Sequence, residues 1–228
     1  MLKMLSNNNR FLCDIILRII ESGGYNINSN YYSPQVIMLA YGKRFYLRAN
    51  IWMPTDNISW SQEAELYAYG LPHDHNFSFL TVGHFGSGYR TIIYEYDASK
   101  VSGEIGEKVD VNFSEDTTLS NGKVMYFRAG KDIHIQFPPE EFSVSLNMIP
   151  TPKSLSFRPQ YIFDIEAGRI INYAKSQVPQ RLGLIALAEQ LGDMHTAELL
   201  DRIAATHPCR RTVERALLAR DRIIARSE

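Results

Sequence analysis

Residues 73–84 read HDHNFSFLTVGH, and our prediction of the fold starts from this segment. It joins two histidines to a run of aromatic and β-branched residues that is typical of a β-strand. Residues i and i+2 of a strand point to the same face, so His73 and His75 can lie side by side. His134, in the alternating segment DIHIQF at 132–137, can supply a third imidazole from another strand. We therefore predict that these three histidines bind one metal ion inside a β-structure.

A site with three histidine ligands is typical of a reactive metal centre rather than a structural one. Imidazole binds Fe, Zn, Ni and Cu, and three protein ligands leave coordination positions open for substrate or O₂. The chain has 6 histidines, so a His-x-His pair can also arise by chance, and unrelated core or surface histidines are the alternative. The alternation around His134 favours the metal site, because Ile133 and Ile135 point to the other face and can pack against another layer.

The composition is that of a folded protein with no general attraction to nucleic acid or membranes. Of the 228 residues, 45% are hydrophobic and 21% are charged, which supports a full core. The formal net charge is −1, and no apolar run is long enough to cross a bilayer. The N-terminal residues lack the pattern of a secretory signal, and Cys13 and Cys209 lie far apart without metal-ligand spacing. We expect a cytoplasmic protein with no disulfide, no nucleic-acid partner and no membrane association.

The turn and strand signals divide the chain into three parts. Residues 1–35 carry an amphipathic helix, at about 8–21, and a lead-in. Residues 36–165 hold short strand-like runs between turn residues, which predicts an antiparallel β-barrel or jelly roll. Residues 166–228 are apolar at helical spacing and predict a three-helix extension. The predicted strands are 45–51, 64–69, 77–84, 89–96, 109–113, 123–128, 133–137 and 143–149, and the predicted C-terminal helices are 182–191, 196–205 and 213–225.

The last of these helices is rich in arginine. A solvated helix face is the usual explanation for such a charge run, and a partner surface is the alternative. We therefore keep a homodimer through the C-terminal helices as a candidate assembly. The arginines are Arg210, Arg211, Arg215, Arg220, Arg222 and Arg226.

Four passages resemble the cupin superfamily and, within it, the cysteine dioxygenase group of thiol dioxygenases. His73-Asp74-His75-Asn76-Phe77-Ser78 resembles the HDHxxS motif of that group. Tyr46-Leu47-Arg48-Ala49-Asn50 resembles its upstream YxRN segment, and Thr91-Ile92-Ile93-Tyr94-Glu95-Tyr96 resembles the strand after the first motif. Ile133-His134, followed by Phe142-Ser143-Val144-Ser145-Leu146-Asn147-Met148, resembles its LH…AVSLHLY passage.

The resemblance implies a cupin-type β-barrel or jelly roll that holds a mononuclear non-haem iron, Fe(II), on His73, His75 and His134. Arg48 then corresponds to the arginine that binds the substrate carboxylate, which suits the planar fork of a guanidinium. Residues behind the ligands normally orient them through the free ring nitrogen of each imidazole. The candidates for that role are Ser78, Gln136, Ser145 and Asn147.

The chain departs from the family pattern at positions that bear on the reaction. Phe79 and Leu80 stand where ordinary cupins place a glutamate ligand, so a three-histidine site is preferred over a 2-His-1-carboxylate site. Asn147 and Ile149 replace the histidine and tyrosine of the family's SLHLY passage, and the cysteine that cross-links to that tyrosine is absent. We therefore do not expect simple conversion of cysteine to its sulfinate.

Three further residues are candidate catalytic groups. His84 lies in a glycine-rich hairpin and can be an acid, a base or a fourth ligand, with an exposed turn histidine as the alternative. Tyr89 and Tyr94 can line a polar, aromatic pocket. The glycines of this hairpin form no phosphate-binding motif, because no helix pattern follows them.

Three function classes follow from these residues. The leading hypothesis is a three-histidine iron dioxygenase or oxygenase that acts with O₂ on a small carboxylate-bearing substrate, such as a thiol or an amino-acid derivative. The first alternative is an O₂-independent isomerase, lyase or hydrolase that uses Zn, Ni or Mn as a Lewis acid. The second is a non-catalytic binding cupin whose C-terminal helices dock a partner.

Overall fold

The computed structural model describes residues 2–8, 10–21, 35–54, 67–151, 159–174, 178–207 and 209–227. Its helices are α1 (Leu2–Ser6), α2 (Phe11–Glu21), α3 (Val178–Leu191), α4 (Met194–Thr206) and α5 (Arg210–Ser227). Its strands are β1 (Val36–Tyr41), β2 (Phe45–Trp52), β3 (His73–Asp74), β4 (Phe79–Phe85), β5 (Arg90–Glu95), β6 (Asn112–Thr118), β7 (Val124–Phe127), β8 (Asp132–Gln136), β9 (Ser143–Pro150), β10 (Tyr161–Asp164) and β11 (Arg169–Tyr173).

The chain divides into two compact units. The N-terminal unit comprises residues 1–96 and 110–152, and the C-terminal unit comprises residues 97–109 and 153–228. The domain boundaries that we placed after residues 35 and 165 stay a prediction.

The N-terminal unit contains two antiparallel sheets. The first has the strand order β1-β2-β9-β4-β7, and the second places its strands in the order β3-β8-β5-β6. Neighbouring strands come from distant parts of the sequence, which is the connectivity of a jelly roll. The predicted β-rich fold class is therefore confirmed: the protein has two antiparallel sheets with the connectivity of a jelly roll, and helices near both ends of the chain.

Alternation along the first sheet separates its two faces. Leu47, Val82 and Leu146 are at most 5% exposed and pack with Leu2 of α1 in one apolar cluster, which lies on what we call the outer face. The intervening residues point to the inner face, where buried Trp52, Phe79 and Ile149 join a second cluster that includes Ile93 of the second sheet. The inner face is thus the side on which the two sheets meet.

Most predicted strands form close to their expected positions, with two exceptions. The strand predicted at 109–113 forms at Asn112–Thr118, and the described part of the segment at 64–69 forms no strand. Residues 67–69 form a turn with one isolated bridge, between Tyr69 and Gln136, while residues 64–66 lie outside the described ranges. Ala68 has a φ of 55°, in the left-handed region, which interrupts an extended strand. The sequence also did not predict four of the strands, namely β1, β3, β10 and β11.

The N-terminal helical segment begins earlier than predicted and is interrupted. Two helices, α1 and α2, replace the single predicted one, and Ser6 donates its hydroxyl to the Gly83 carbonyl at 2.9 Å. This bond ties α1 to β4, on the outer face of the first sheet.

The C-terminal unit contains the β10–β11 hairpin and the three predicted helices. Residues 106 and 109 donate backbone N–H groups to the carbonyls of Ile170 and Gly168, which adds the 97–109 segment to the hairpin. Asp193 and Thr196 form a capping box at the start of α4. The helices share a core of Ile185, Ala197, Leu200, Ala216, Ala219 and Ile223.

The arginines of α5 contact acidic side chains or carbonyls of the same unit. Glu189, which is 5% exposed, binds Arg215 at 2.6 Å and Arg222 at 3.0 Å. Arg211 binds Glu104 at 3.1 Å. These contacts account for the charge run as a set of intramolecular ion pairs. Among the described residues, the helices are too short or too polar to cross a membrane.

Candidate metal centre

The three predicted histidines converge on the inner side of the N-terminal unit. His73 lies on β3, His75 follows directly after that strand, and His134 lies on β8. One nitrogen of each ring lies within 4.8 Å of those of the other two, and the Nε2 atoms of His73 and His134 are 3.0 Å apart. This separation brings three potential ligand atoms close enough to share one cation.

Strand pairing explains why the rings converge. His73 lies opposite His134 in the β3–β8 ladder, so both side chains point to the same face. His75 is two residues beyond His73 and returns to that face. Its carbonyl accepts a hydrogen bond from the Gly130 N–H at 2.9 Å, which holds it beyond the end of β3.

The protonation states suit a metal ligand set. Nδ1 of His73 lies 2.8 Å from the Leu71 carbonyl, so it carries the proton and leaves the lone pair of Nε2 aimed at the cluster. Burial lowers the pKa of His73. Burial, together with the charges of His73, His75 and Arg48, holds the pKa of His134 well below its usual value. Neutral imidazoles are the form that binds metals.

The donor set therefore fits a metal ion. Two neutral Nε2 atoms at 3.0 Å need either a shared proton or a cation, and His75 brings a third nitrogen to the same place. Within the described ranges, no carboxylate or cysteine joins this group of three. The set of three nitrogen donors matches metals that favour imidazole, namely Fe, Zn, Ni and Cu.

Aromatic rings enclose the cluster. The ring of His75 lies 4.8 Å from that of Phe77 and 5.1 Å from that of Phe79, while Phe127 lies 4.7 Å from His134. His134 is 0% exposed, whereas His75 is half-buried. The cluster is therefore dry on the side of His134 and accessible beside His75.

A row of polar side chains crosses the inner face of the first sheet next to this aromatic layer. Arg48 and Thr81 pair in register with Asn147, one on each side, and the Thr81 hydroxyl donates to Asn147 Oδ1 at 2.6 Å. Arg48 is only 8% exposed, and its charge contributes to the lowered pKa of His134. The row places a cation and an amide within electrostatic reach of the histidines.

Tyr89 belongs to the same interior. It is 2% exposed, and its ring centroid lies 4.0 Å from that of Trp52. Burial raises its pKa to about 12, against the opposing effects of its hydrogen bonds with Gln136 and Thr81 and the charge of Arg48. The phenol therefore keeps its proton at neutral pH and can act as a hydrogen-bond donor.

Two of the predicted orienting residues, Ser78 and Ser145, hydrogen-bond to groups other than the histidines. The Ser78 hydroxyl accepts the Ala129 N–H at 2.9 Å, which anchors the chain after His75. The Ser145 hydroxyl accepts the Trp52 indole N–H at 2.9 Å. Both therefore support the walls of the interior, and a direct role for either at a histidine stays a prediction.

The structure does not bring His84 and Tyr94 to the cluster. His84 lies on the outer face, where its Nδ1 is 3.2 Å from the Ser6 carbonyl of α1. Tyr94 follows inward-facing Ile93 on β5, so its ring points to the opposite face, where it contacts Phe113 at 5.9 Å. Strand alternation separates both from the histidines, and no contact of theirs supports the predicted catalytic roles.

The glycine-rich hairpin is explained by packing. A Cβ atom at Gly83 would collide with the Ser120 carbonyl oxygen, and one at Gly88 with the Leu119 carbonyl oxygen. Gly88 also has a φ of 81°. These positions need glycine because two backbones meet there.

Sequence reasoning missed the interior residues Trp52 and Thr81, and it considered Tyr69 as a pocket-lining tyrosine without selecting it. Tyr69 donates its hydroxyl to the Met53 carbonyl at 2.9 Å, and its ring lies 6.1 Å from that of Trp52. Alternation offered a signal for Thr81, which is two residues beyond Phe79 and shares its face. Residue 69 gave no such signal, because it lies in a turn.

No family model and no curated protein matches the chain. Among solved structures, it is similar to a DMSP lyase at 11% identity and a TM-score of 0.34, covering 57% of this chain and 52% of that one. The chain thus spans about half of that lyase. A hydroquinone 1,2-dioxygenase (PnpCD) is 12% identical, with a TM-score of 0.35 and coverage of 56% and 70%. A cupin domain from Bordetella pertussis Tohama I is 11% identical, with a TM-score of 0.28 and coverage of 54% and 100%.

Proposed function

We propose that the chain is a mononuclear non-haem iron enzyme, a three-histidine dioxygenase or oxygenase. Its substrate would be a small molecule with a carboxylate, such as a thiol or an amino-acid derivative. The observation that carries this proposal is the convergence of His73, His75 and His134 to within 4.8 Å with no fourth protein ligand among the described residues. Fe(II) held there would supply the redox chemistry and bind O₂, which no side chain can do alone.

The residues of the chain would bind and orient the substrate. Arg48, buried on the inner face, would hold the carboxylate through its two-pronged guanidinium. Tyr89 stays protonated and would donate a hydrogen bond to a substrate oxygen. Phe77, Phe79 and Phe127 would exclude water from the reacting atoms, which strengthens each polar contact inside.

Metal analysis of protein purified without oxygen tests the site. We expect about one ion per chain in the wild type, by the ligand count of catalytic sites. His73→Ala and His134→Ala should lose both metal and turnover. His195→Ala is the matched control, because this histidine is exposed on α4 of the C-terminal unit. Full metal content and turnover in either of the first two variants would contradict the proposal.

An O₂-independent lyase, isomerase or hydrolase that uses Zn, Ni or Mn is the second candidate. It is favoured by Asn147, which accepts the Thr81 hydroxyl and stands in place of a histidine in the thiol dioxygenase pattern. An amide cannot shuttle protons at neutral pH. Oxygen uptake with thiol and amino-acid substrates separates the two candidates, since turnover under strict anoxia supports the second and refutes the first. A metal-free protein that forms a stable complex through residues 180–228 would indicate the binding cupin instead.

We also propose that the C-terminal helices form a homodimer. The arginines of α5 are engaged within their own unit, but α3 exposes an uncharged row of Leu184 (67%), Leu187 (54%) and Leu191 (78%). Spacings of three and four residues place these leucines on one side of the helix. Sedimentation should show a dimer that Leu187→Glu converts to a monomer, whereas a monomeric wild type would refute the proposal.

We propose a cytoplasmic location, on the basis of the two cysteines. Cys13 and Cys209 are both free thiols in the structure. Disulfides are rare in the cytosol, where thiols are kept reduced.

A further inference from the structure

Asp74 lies between the two histidines of the HDH segment and points away from the metal centre. It is 1% exposed, and Oδ2 of its carboxyl group accepts the Tyr96 hydroxyl at 2.5 Å. Tyr96 is itself 5% exposed. A short, buried bond of this kind is a strong local restraint, because a buried carboxyl group that loses a donor is costly.

The strand that carries Asp74 is short. β3 has only 2 residues, and its ladder with β8 ends at the Asp74–Ile133 pair. His75 therefore lies outside that ladder, and a small rotation of β3 would move its ring relative to His134. The Gly130 N–H holds the His75 carbonyl at 2.9 Å, and the Tyr96–Asp74 bond holds the preceding residue by its side chain.

Tyr96 is fixed by the same turn that holds His75. Its backbone N–H donates to the Lys131 carbonyl at 2.9 Å. Asp132 accepts the Arg128 N–H at 2.6 Å, and the Arg128 guanidinium reaches Glu95 at 2.6 Å. The turn at 128–132 thus supports the metal-binding segment both through the backbone of His75 and through the hydroxyl of Tyr96.

We infer that Tyr96 and Asp74 are a positioning pair that sets the orientation of His73 and His75 from the face opposite the metal centre. This inference rests on the proposed metal site. Partners behind metal ligands typically change metal affinity by roughly 10–100-fold when they are removed. The pair touches neither the reacting atoms nor the substrate face, so its effect is on ligand geometry.

Binding of Co(II) to the full chain tests the inference. Co(II) affinity, measured by competition with a chelator, and the visible absorption bands of the bound ion both report ligand geometry without any turnover. Tyr96→Phe should weaken Co(II) binding by at least about tenfold and shift or broaden the bands. Tyr94→Phe is the matched control, since this tyrosine is on β5 but contacts Phe113, and it should change the affinity by less than about twofold.

Asp74→Asn distinguishes positioning from charge. Asparagine keeps an oxygen that can accept the Tyr96 hydroxyl but removes the carboxyl group. We expect absorption bands close to those of the wild type in this variant. Circular dichroism before titration confirms that each variant is folded.

Each outcome decides the matter. Unchanged affinity and spectrum in folded Tyr96→Phe would overturn the positioning pair while leaving the metal site intact. A spectrum that changes as much in Asp74→Asn as in Tyr96→Phe would also overturn it, because charge would then be the cause. A wild type that does not bind Co(II) at all would overturn the metal site, and the pair with it.

Discussion

The two faces of the first sheet are equally buried and chemically opposite. On the outer face, Leu146 and Val82 are 0% exposed. On the inner face of the same strands, Thr81 is 0% and Asn147 is 3% exposed. Burial alone therefore does not distinguish the core from the candidate site. The distinction comes from polarity, because buried polar groups are retained only where they are hydrogen-bonded or have a role that outweighs their desolvation.

The two faces contribute differently to the stability of the protein. Each large apolar side chain buried on the outer face contributes roughly 1.5–3 kcal/mol to folding. A hydrogen bond on the inner face contributes only about 0.5–1.5 kcal/mol, because the unfolded chain makes equivalent bonds to water. The outer face thus contributes most to the stability of the fold, and the inner face carries the polar groups of the proposed site.

The largest effect that we expect is on the outer face. Leu146→Ala should lower the free energy of unfolding by about 2–5 kcal/mol, since it leaves a cavity in a fully buried cluster. Metal content per folded chain should stay unchanged, and denaturant titration together with metal analysis measures both quantities. Leu17→Ala, at a 52% exposed position on α2, is the control and should change stability by less than about 0.5 kcal/mol. Loss of metal in folded Leu146→Ala would contradict the view that the outer face affects stability without affecting metal binding.

A smaller effect is expected from the matching inner-face change. Thr81→Val keeps the shape of the side chain but removes the hydroxyl that binds Asn147 and Tyr89. It should lower the free energy of unfolding by about 1–3 kcal/mol, because it leaves buried polar groups without that partner. It should also weaken binding of carboxylate ligands to the metal-loaded protein, which titration calorimetry measures. Thr118→Val on an exposed position of β6 serves as the control, and equal ligand affinity in both variants would argue against a substrate role for the inner row.

The smallest effect concerns His84, the one histidine of the outer face of β4. Burial lowers its pKa, so the folded protein favours the neutral ring, whereas the unfolded chain takes up a proton near its ordinary pKa of about 6.5. Stability should therefore fall as the pH drops below about 6.5, where the unfolded state binds more protons. Denaturation of the metal-free protein at pH 7.5 and 5.5 should show a smaller loss in His84→Gln than in the wild type. An identical loss in both proteins would show that His84 does not contribute to acid sensitivity.

The convergence of the three histidines was predictable because local spacing and alternation carry most of the information. His73 and His75 are two residues apart, and the isoleucines around His134 identified its face before any partner strand was known. The three C-terminal helices were predictable for a similar reason, since their apolar residues recur at helical spacing. Short strands such as β3 were not predictable, because a segment of two residues shows no periodicity.

His84 shows where such reasoning fails. The sequence predicts a strand that ends at His84 and a glycine-rich hairpin after it, whereas the residue lies buried within β4. Alternation defines two faces of a strand without saying which of them meets the other sheet. Helix α1 covers the face that carries His84, and Ser6 binds both its neighbour Gly83 and its ring. The local sequence around residue 84 does not predict that contact.

The order of residues along each strand determined which side chains share a face, and the run of Asp, His and Ile residues at 132–135 is the plainest case. The packing of the whole unit set which faces became the interior and which strands became neighbours, and it brought the Tyr96 hydroxyl to Asp74. The physical reason is that side-chain direction follows from backbone geometry within a few residues. Pairing between distant segments, such as those of His73 and His134, which are 61 residues apart, depends on contacts throughout that unit.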